Sequence, residues 1–563
     1  MHTPEPHLGP QWWRNAVIYQ IYVRSFADSD GDGVGDLPGI TARLPHITQL
    51  GADAVWLTPF YPSPMRDGGY DVADHRDVDP RFGTLDDFDA LVARAHALGL
   101  RVIVDIVPNH TSDQHTWFQE ALAAPPGGPA RARYVFRDGR NGGTRPPTDW
   151  QSVFGGPAWR QVDDGQWYLH LFDATQPDLD WTHPEVVAEF HDILRFWLDR
   201  GVDGFRFDVA HGMAKDLAEP LRDLGPDQMH HRIVGDGWRG DHPFWDREEV
   251  HGLLRGFRRL TDTYRPPRLT VAESWAAPDR RGLYVRADEL HQAFNFDFLG
   301  ASWDAPALRA TVDRSLALAG AVGAAPTWVL SNHDVIRHAS RLALPAGTDQ
   351  ERWLRSGGTQ PPLDPDAAGR RARAAALLLL ALPGAAYLYQ GEELGLPEVA
   401  DLPDEVLRDP VRVRSAGARK GRDGCRVPLP WERTGPSLGF GPGPGWLPQP
   451  ETFADLSVEA QRGDPDSTLG VYRAALALRR KALTPDAALQ WNSPPHADVL
   501  DFTAGSLRCL ANPTPEPVLL PEGPEGTATG PVLSSVPLHA GARLLPPDST
   551  AWYLLPETAS PAP

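Results

Sequence analysis

The chain has 563 residues, with 54 Lys+Arg against 74 Asp+Glu, a formal net charge of −20 at pH 7. That balance argues against nucleic acid and against an anionic membrane surface as partners, because both recruit basic patches. Two cysteines, Cys425 and Cys509, exclude a disulfide framework and a cysteine zinc site. No apolar run reaches the roughly 20 residues of a spanning helix. The opening MHTPEPHLGPQWWRN lacks the basic-then-apolar order of a signal peptide. A cytoplasmic acidic globular protein is therefore expected, as a monomer or homodimer.

In chain order, Val17–Tyr22 reads as a buried strand, followed by the acidic loop Asp28–Asp36 and a second strand at Ala54–Leu57. Leu85–Leu98 has helical spacing, and Arg101–Val107 is a third apolar strand. The stretch from 108 to 183 is far too long for an ordinary βα loop. It contains Gly/Pro-rich segments and the β-type run Trp167–Phe172, and it reads as an inserted subdomain. The helical Pro184–Arg200 precedes strands at Gly204–Asp208, Leu269–Ala272, Ala293–Phe296, Thr327–Leu330 and Ala385–Tyr389. A last helix, Ser467–Leu483, gives way to Pro-rich sequence with short β patterns at Asp498–Phe502 and Ala551–Leu555. Continuously apolar strands alternating with helices imply a parallel sheet, and about eight such units imply an α/β fold closed as a (β/α)8 TIM barrel. The expected division is barrel at 1–110 and 183–484, inserted subdomain at 111–182, and C-terminal antiparallel β-domain at 485–563.

The loop Asp28-Ser-Asp-Gly-Asp-Gly-Val-Gly-Asp36 carries its own signal. Asp28, Asp30, Asp32 and Asp36 occupy relative positions 1, 3, 5 and 9, the Val34 carbonyl takes position 7, and Gly33 permits the sharp turn. This is the spacing of an EF-hand loop without its closing Glu. Clustered carboxylates repel one another without a cation, so structural Ca2+ is expected, with Mg2+ as the alternative. The competing reading is a solvated acidic turn.

Polar residues recur at the C-terminal ends of the strands: Asn109 and His110, Arg206 and Asp208, Glu273, then His333 and Asp334. A barrel gathers these points on one rim, where active sites are built. Any one of these acids reads equally well as a helix cap. Three carboxylates with two histidines and an arginine on one rim point to chemistry.

Nine blocks in order resemble the α-amylase superfamily, glycoside hydrolase family 13, in its α-glucosidase and oligo-1,6-glucosidase branch. They are WWRNAVIYQIYVRSF (12–26), GDGVGDLPGI (31–40), DIVPNHTS (105–112), QPDLDW (176–181), GFRFDVAH (204–211), AES (272–274), LSNHD (330–334), YQGEELG (389–395) and GRDGCRVPLPW (421–431). The resemblance implies a barrel with a subdomain after strand 3 and a C-terminal β-domain. It also implies Asp208 as nucleophile, Glu273 as general acid/base and Asp334 as third carboxylate. Retention at a glycosidic bond needs one ionised carboxylate and one protonated carboxyl about 5 Å apart. Arg206, on the same face of the strand as Asp208, is expected to hold Asp208 ionised, and Trp275 to help keep Glu273 protonated. By the same match His110 and His333 bind glucose hydroxyls, and Asp67 and Tyr70 form the subsite for the non-reducing glucose. Phe172 and Gln176 come from the returning subdomain. Arg422 is the candidate ion-pair partner of Asp67, ahead of Arg426.

The expected activity is a retaining, exo-acting α-glucosidase that hydrolyses terminal α-1,4-linked glucose from small maltose-type oligosaccharides. An α-1,6-acting oligoglucosidase is one alternative, and a transglucosylase or isomerase acting on sucrose or trehalose is another. Val209, after the nucleophile, is typical of α-1,6-acting relatives, whereas the fuller DVAHGMAK string resembles α-1,4-glucosidases. Asp180 stands where relatives usually carry Asn. A catalytically inactive transporter subunit is the alternative from another class, and the full set of carboxylates and histidines argues against it.

Overall fold

The structure, a computed structural model, describes residues 11–225, 237–238, 240–493, 496–521, 530–539 and 541–556. The N-terminal residues 1–10 lie outside that range. The apolar runs form eight parallel strands: β1 (Val17–Ile21), β2 (Ala54–Leu57), β3 (Arg101–Ile106), β4 (Gly204–Phe207), β5 (Leu269–Ala272), β6 (Gln292–Ala293), β7 (Thr327–Val329) and β8 (Ala385–Tyr389). They are hydrogen-bonded in the order β7-β8-β1-β2-β3-β4-β5-β6. The sheet is nearly closed, and at the seam the Thr327 hydroxyl of β7 donates to the Ala293 carbonyl of β6 at 2.7 Å. The strands are buried almost throughout, as both faces must be in a helix-wrapped parallel sheet.

Several helices begin at a side-chain cap or at a proline that has no N–H to satisfy. Thr84 and Asp87 form a capping box at Leu85–Ala97, Pro184 opens Pro184–Asp199, and Asp364 caps Pro365–Ala381. Outward-facing strand residues pack on this shell. Phe207 of β4 stacks on Phe257 of helix Val250–Thr261 with centroids 4.9 Å apart, worth about 1 kcal/mol beyond the area buried.

Two expected strands end well before their apolar runs do. The run Ala293–Phe296 leaves the sheet after Ala293, because the Asn295 side chain accepts from Phe298 N and starts a short helix, Phe296–Gly300. Local capping here outcompetes the ladder. Trp167–Phe172 pairs only through Leu169, as the central strand Gln166–Leu169 of a three-stranded antiparallel sheet with Phe136–Asp138 and Trp159–Gln161.

Beyond helix Thr468–Ala482 a five-stranded antiparallel sheet contains Leu500–Ala504, Leu507–Asn512 and Ser549–Leu554. Helix Pro365–Ala381 holds it to the barrel. Thr550 and Trp552 donate to the Ala374 and Leu377 carbonyls, and Asp548 receives Arg371 and the Trp303 indole. Among the described residues no helix is long and apolar enough to cross a membrane.

Candidate active site

The C-terminal ends of the barrel strands carry a cluster centred on Arg206. Alternation along β4 turns Phe205 and Phe207 outward and Arg206 inward, where its side chain is 3% exposed. Nη1 donates to Asp105 Oδ1 at 2.8 Å and to Asp208 Oδ1 at 2.6 Å, and Nη2 donates to Glu273 Oε2 at 2.5 Å. Asp208 and Glu273 therefore lie on the two terminal nitrogens of one guanidinium. Between them, Val209 takes φ 43, a left-handed conformation strained for a β-branched residue. It turns the Val209 N–H onto Glu273 Oε2 at 3.1 Å.

Asp105 is a member of this cluster that motif reading passed over. The signal was there, as a lone acid inside the apolar run of β3. It also takes the Tyr70 hydroxyl at 3.0 Å and the Trp56 indole at 3.3 Å. Burial pushes Asp105 up to about 6, against the pull of Arg206 and Tyr70. One cation faces three carboxyls, so Arg206, expected to hold Asp208 ionised, is shared among Asp105, Asp208 and Glu273. Burial raises Asp208 well above the usual carboxylate range, and Glu273 and Asp105 add to the rise against the pull of Arg206. Trp275 is half-buried and stacks on Phe296, with centroids 3.9 Å apart and planes 10° apart.

Asp334 has the opposite environment. Burial alone would raise it, but the charges of Arg422, Arg426 and Arg206 and the adjacent His333 outweigh that and hold it well below the usual range. Arg422 Nη1 lies 2.9 Å and Arg426 Nη2 2.8 Å from Asp334 Oδ1. The arginines carry the charge at neutral pH, because burial lowers His333 to about 3. His333 is stacked on Tyr70, with centroids 5.3 Å apart and planes 2° apart. Its Nδ1 meets Gln20 Nε2 of β1 at 2.7 Å, which leaves Nε2 facing Asp334 Oδ2 at 3.4 Å.

Arg422 ties the second half of the site together. Nη2 lies 2.7 Å from Asp67 Oδ1, so the pair anticipated between Arg422 and Asp67 is present, while Arg426 serves Asp334. Nε lies 2.6 Å from Asp409, a fully buried acid in a segment without a recognisable motif. Burial would raise Asp409, but Arg422 and Arg426 bring it down to about 2. Gln176 Nε2 donates to Asp67 Oδ2 at 3.2 Å and lies 3.0 Å from His110 Nε2. Phe172 is half-buried, its ring 5.3 Å from His110 and 5.7 Å from Phe154. Burial also makes His110 neutral, at about 3. Arg414 joins the segment of Asp409 and Arg422 to the 111–182 stretch, donating to the Gly155 carbonyl at 2.7 Å and lying 3.4 Å from Asp173.

In the acidic loop, Asp28, Asp30 and Asp36 bring one carboxylate oxygen each within 4.8 Å of one another. Asp32 is not among the converging carboxylates. It is exposed, and its Oδ1 turns back onto the Val34 N–H at 2.7 Å. Burial raises Asp36, and the neighbouring Asp30 contributes to the rise, the electrostatic condition that a cation relieves.

A parallel barrel whose rim brings two carboxyls, Asp208 and Glu273, onto one guanidinium beside a third acid has the paired acids of the carbohydrate-cleaving class. Comparison with known proteins agrees. Residues 20–486 match the family described as alpha amylase, catalytic domain, and the chain belongs to that family. It is 43% identical over 483 residues to a probable alpha-glucosidase of Rhizobium meliloti, covering 83% of this chain and 82% of the relative. It is 34% identical over 502 residues to an oligo-1,6-glucosidase of Parageobacillus thermoglucosidasius, covering 84% of each. The crystal structure of an alpha-glucosyl transfer enzyme superposes with a TM-score of 0.81 at 38% identity, over 96% of this chain and 99% of that one. The protein is a glycoside hydrolase of the glucosidase type.

Proposed function

We propose that the enzyme is a retaining, exo-acting α-glucosidase that releases terminal α-1,4-linked glucose from maltose-type oligosaccharides. The observation that carries this reading is the bridge from Asp67 through Arg422 to Asp334. It closes the space behind the sugar, so that a chain end enters and an internal segment does not. Asp208 attacks the anomeric carbon, and Glu273 protonates the departing oxygen and later activates water. The reacting arrangement has Asp208 as the anion and Glu273 carrying the proton that the leaving group takes. Asp334, kept ionised by its arginines, holds ring hydroxyls and favours the oxocarbenium-like transition state. His110, His333, Asp67, Gln176 and the Tyr70 and Phe172 rings hold the glucose.

The second reading is transfer in place of hydrolysis, favoured by the likeness to an alpha-glucosyl transfer enzyme. A panel of maltose, isomaltose, sucrose, trehalose and starch, with products identified, tests both. Glucose from maltose with starch untouched supports the proposal. Preference for isomaltose overturns the linkage, attack on starch overturns exo-action, and a rearranged or extended saccharide from maltose overturns hydrolysis.

We further propose that the acidic loop holds a structural cation, calcium before magnesium, on Asp28, Asp30 and Asp36 with the Val34 carbonyl. The convergence of three carboxylates supports it.

A further inference from the structure

We propose that Lys215 is a positioning residue that dictates, through Asn109, which nitrogen of His110 carries its proton. The inference rests on the reading of His110 as a sugar-holding residue.

Lys215 follows the short turn after Asp208, and its side chain is 1% exposed. The ammonium donates to Asn109 Oδ1 and to the Gly212 carbonyl, each at 2.9 Å, and lies 3.1 Å from Asp178 Oδ2. An ammonium only donates, so the Asn109 atom beside it must be the oxygen. That choice turns the Asn109 amide nitrogen towards His110 Nδ1, 3.1 Å away. An amide nitrogen also only donates, so Nδ1 must accept. A neutral imidazole has one N–H, which is therefore on Nε2, where the Tyr70 carbonyl lies 3.1 Å away.

The consequence appears on the other side of the ring. Gln176 is itself oriented, because its Oε1 accepts from Asp173 N at 2.9 Å. Its amide nitrogen thus points at His110 Nε2. Both donors have their own acceptors, because the His110 Nε2 proton meets the Tyr70 carbonyl and the Gln176 amide donates to Asp67 Oδ2 at 3.2 Å. With the opposite tautomer, His110 Nε2 would accept from Gln176, drawing that amide away from Asp67 and leaving the Tyr70 carbonyl without its donor. Lys215 withholds that pairing, so Asp67, Tyr70 and His110 stay in the arrangement that receives the sugar.

The test is a double-mutant cycle on kcat/KM with an aryl α-glucoside. Lys215→Met is expected to lower kcat/KM by roughly ten- to a hundred-fold, the size of one charge-assisted hydrogen bond. In a His110→Ala background the same substitution is expected to cost little, because its route has been removed. Losses that multiply across the two backgrounds overturn the proposal. If His110→Ala alone leaves kcat/KM unchanged, the sugar-holding reading of His110 fails, a result distinct from multiplying losses. Should Lys215→Met not fold, Asn109→Ala carries the same cycle, since it leaves Lys215 on Asp178 and the Gly212 carbonyl. Nitrogen-15 NMR of labelled histidine gives a readout that a merely structural role does not move. The His110 proton is expected on Nε2 in the natural protein and shifted towards Nδ1 in Lys215→Met, and an unchanged tautomer overturns the proposal.

Discussion

Arg206 donates to Asp105, Asp208 and Glu273 together, so its one charge is divided, and burial raises Asp208 and Asp105 above the usual carboxylate range. Asp334, beside Arg422 and Arg426, has cations to spare and is held well below that range. Asp208→Asn is expected to cut turnover by more than about a thousand-fold while leaving the melting curve in place, and retained activity refutes the nucleophile. Glu273→Gln is expected to lose roughly a hundred- to ten-thousand-fold on maltose and far less on aryl glucosides with good leaving groups, which need little protonation. Equal losses on the two substrates count against the acid role. Asp409 yields a stability prediction. Its pKa falls from 3.8 to about 2 on folding, so the native state binds its proton more weakly than the unfolded chain does. That contributes about 2 kcal/mol, complete above pH ~4 and lost as the pH falls through ~2. Asp409→Asn is thus expected to lower the melting temperature at pH 7, and its deficit against the natural protein should narrow towards pH 3. A deficit independent of pH would show that the charge is not the source.

At the scale of single elements, the loop Asp28–Asp36 does more than join β1 to its helix. Asp28 N donates to the Phe440 carbonyl at 2.8 Å, and Trp446 N to that of Gly33 at 2.9 Å, so this loop and the 440–446 segment hold each other. Gly33 sits at φ +90, where an added Cβ would lie 2.7 Å from the Pro444 carbonyl. Chelation is expected to lower the melting temperature, with restoration by calcium before magnesium, and an unchanged melting curve removes the cation proposal. The spacing of the aspartates was legible in the chain. Their convergence was less so, because Asp32 satisfies its own turn by accepting from Val34 N. The apolar run Ala293–Phe296 likewise read as strand, and only the Asn295 cap ends it early. Apolar content specifies burial, and a single side-chain hydrogen bond decides which backbone form achieves it.

Across the whole molecule, the site is assembled from the barrel rim, the returning subdomain with Phe172 and Gln176, and the segment carrying Asp409, Arg414 and Arg422. Arg414 joins the last two through Gly155 and Asp173. Arg414→Ala is expected to raise KM for maltose several-fold and to increase activity on longer chains relative to maltose. An unchanged ratio counts against this contact as a source of the proposed exo-action. The sequence by itself determined the barrel, the family and the identities of the rim residues, because strand periodicity and ordered motifs are local properties of the chain. Only the tertiary structure decided that Asp409 stands behind Arg422, that Asp105 shares Arg206, and which acids are raised and which lowered in proton affinity. Those outcomes depend on burial and on distances between charges from separate segments, and electrostatic energy varies with separation and surroundings that no local pattern of residues encodes.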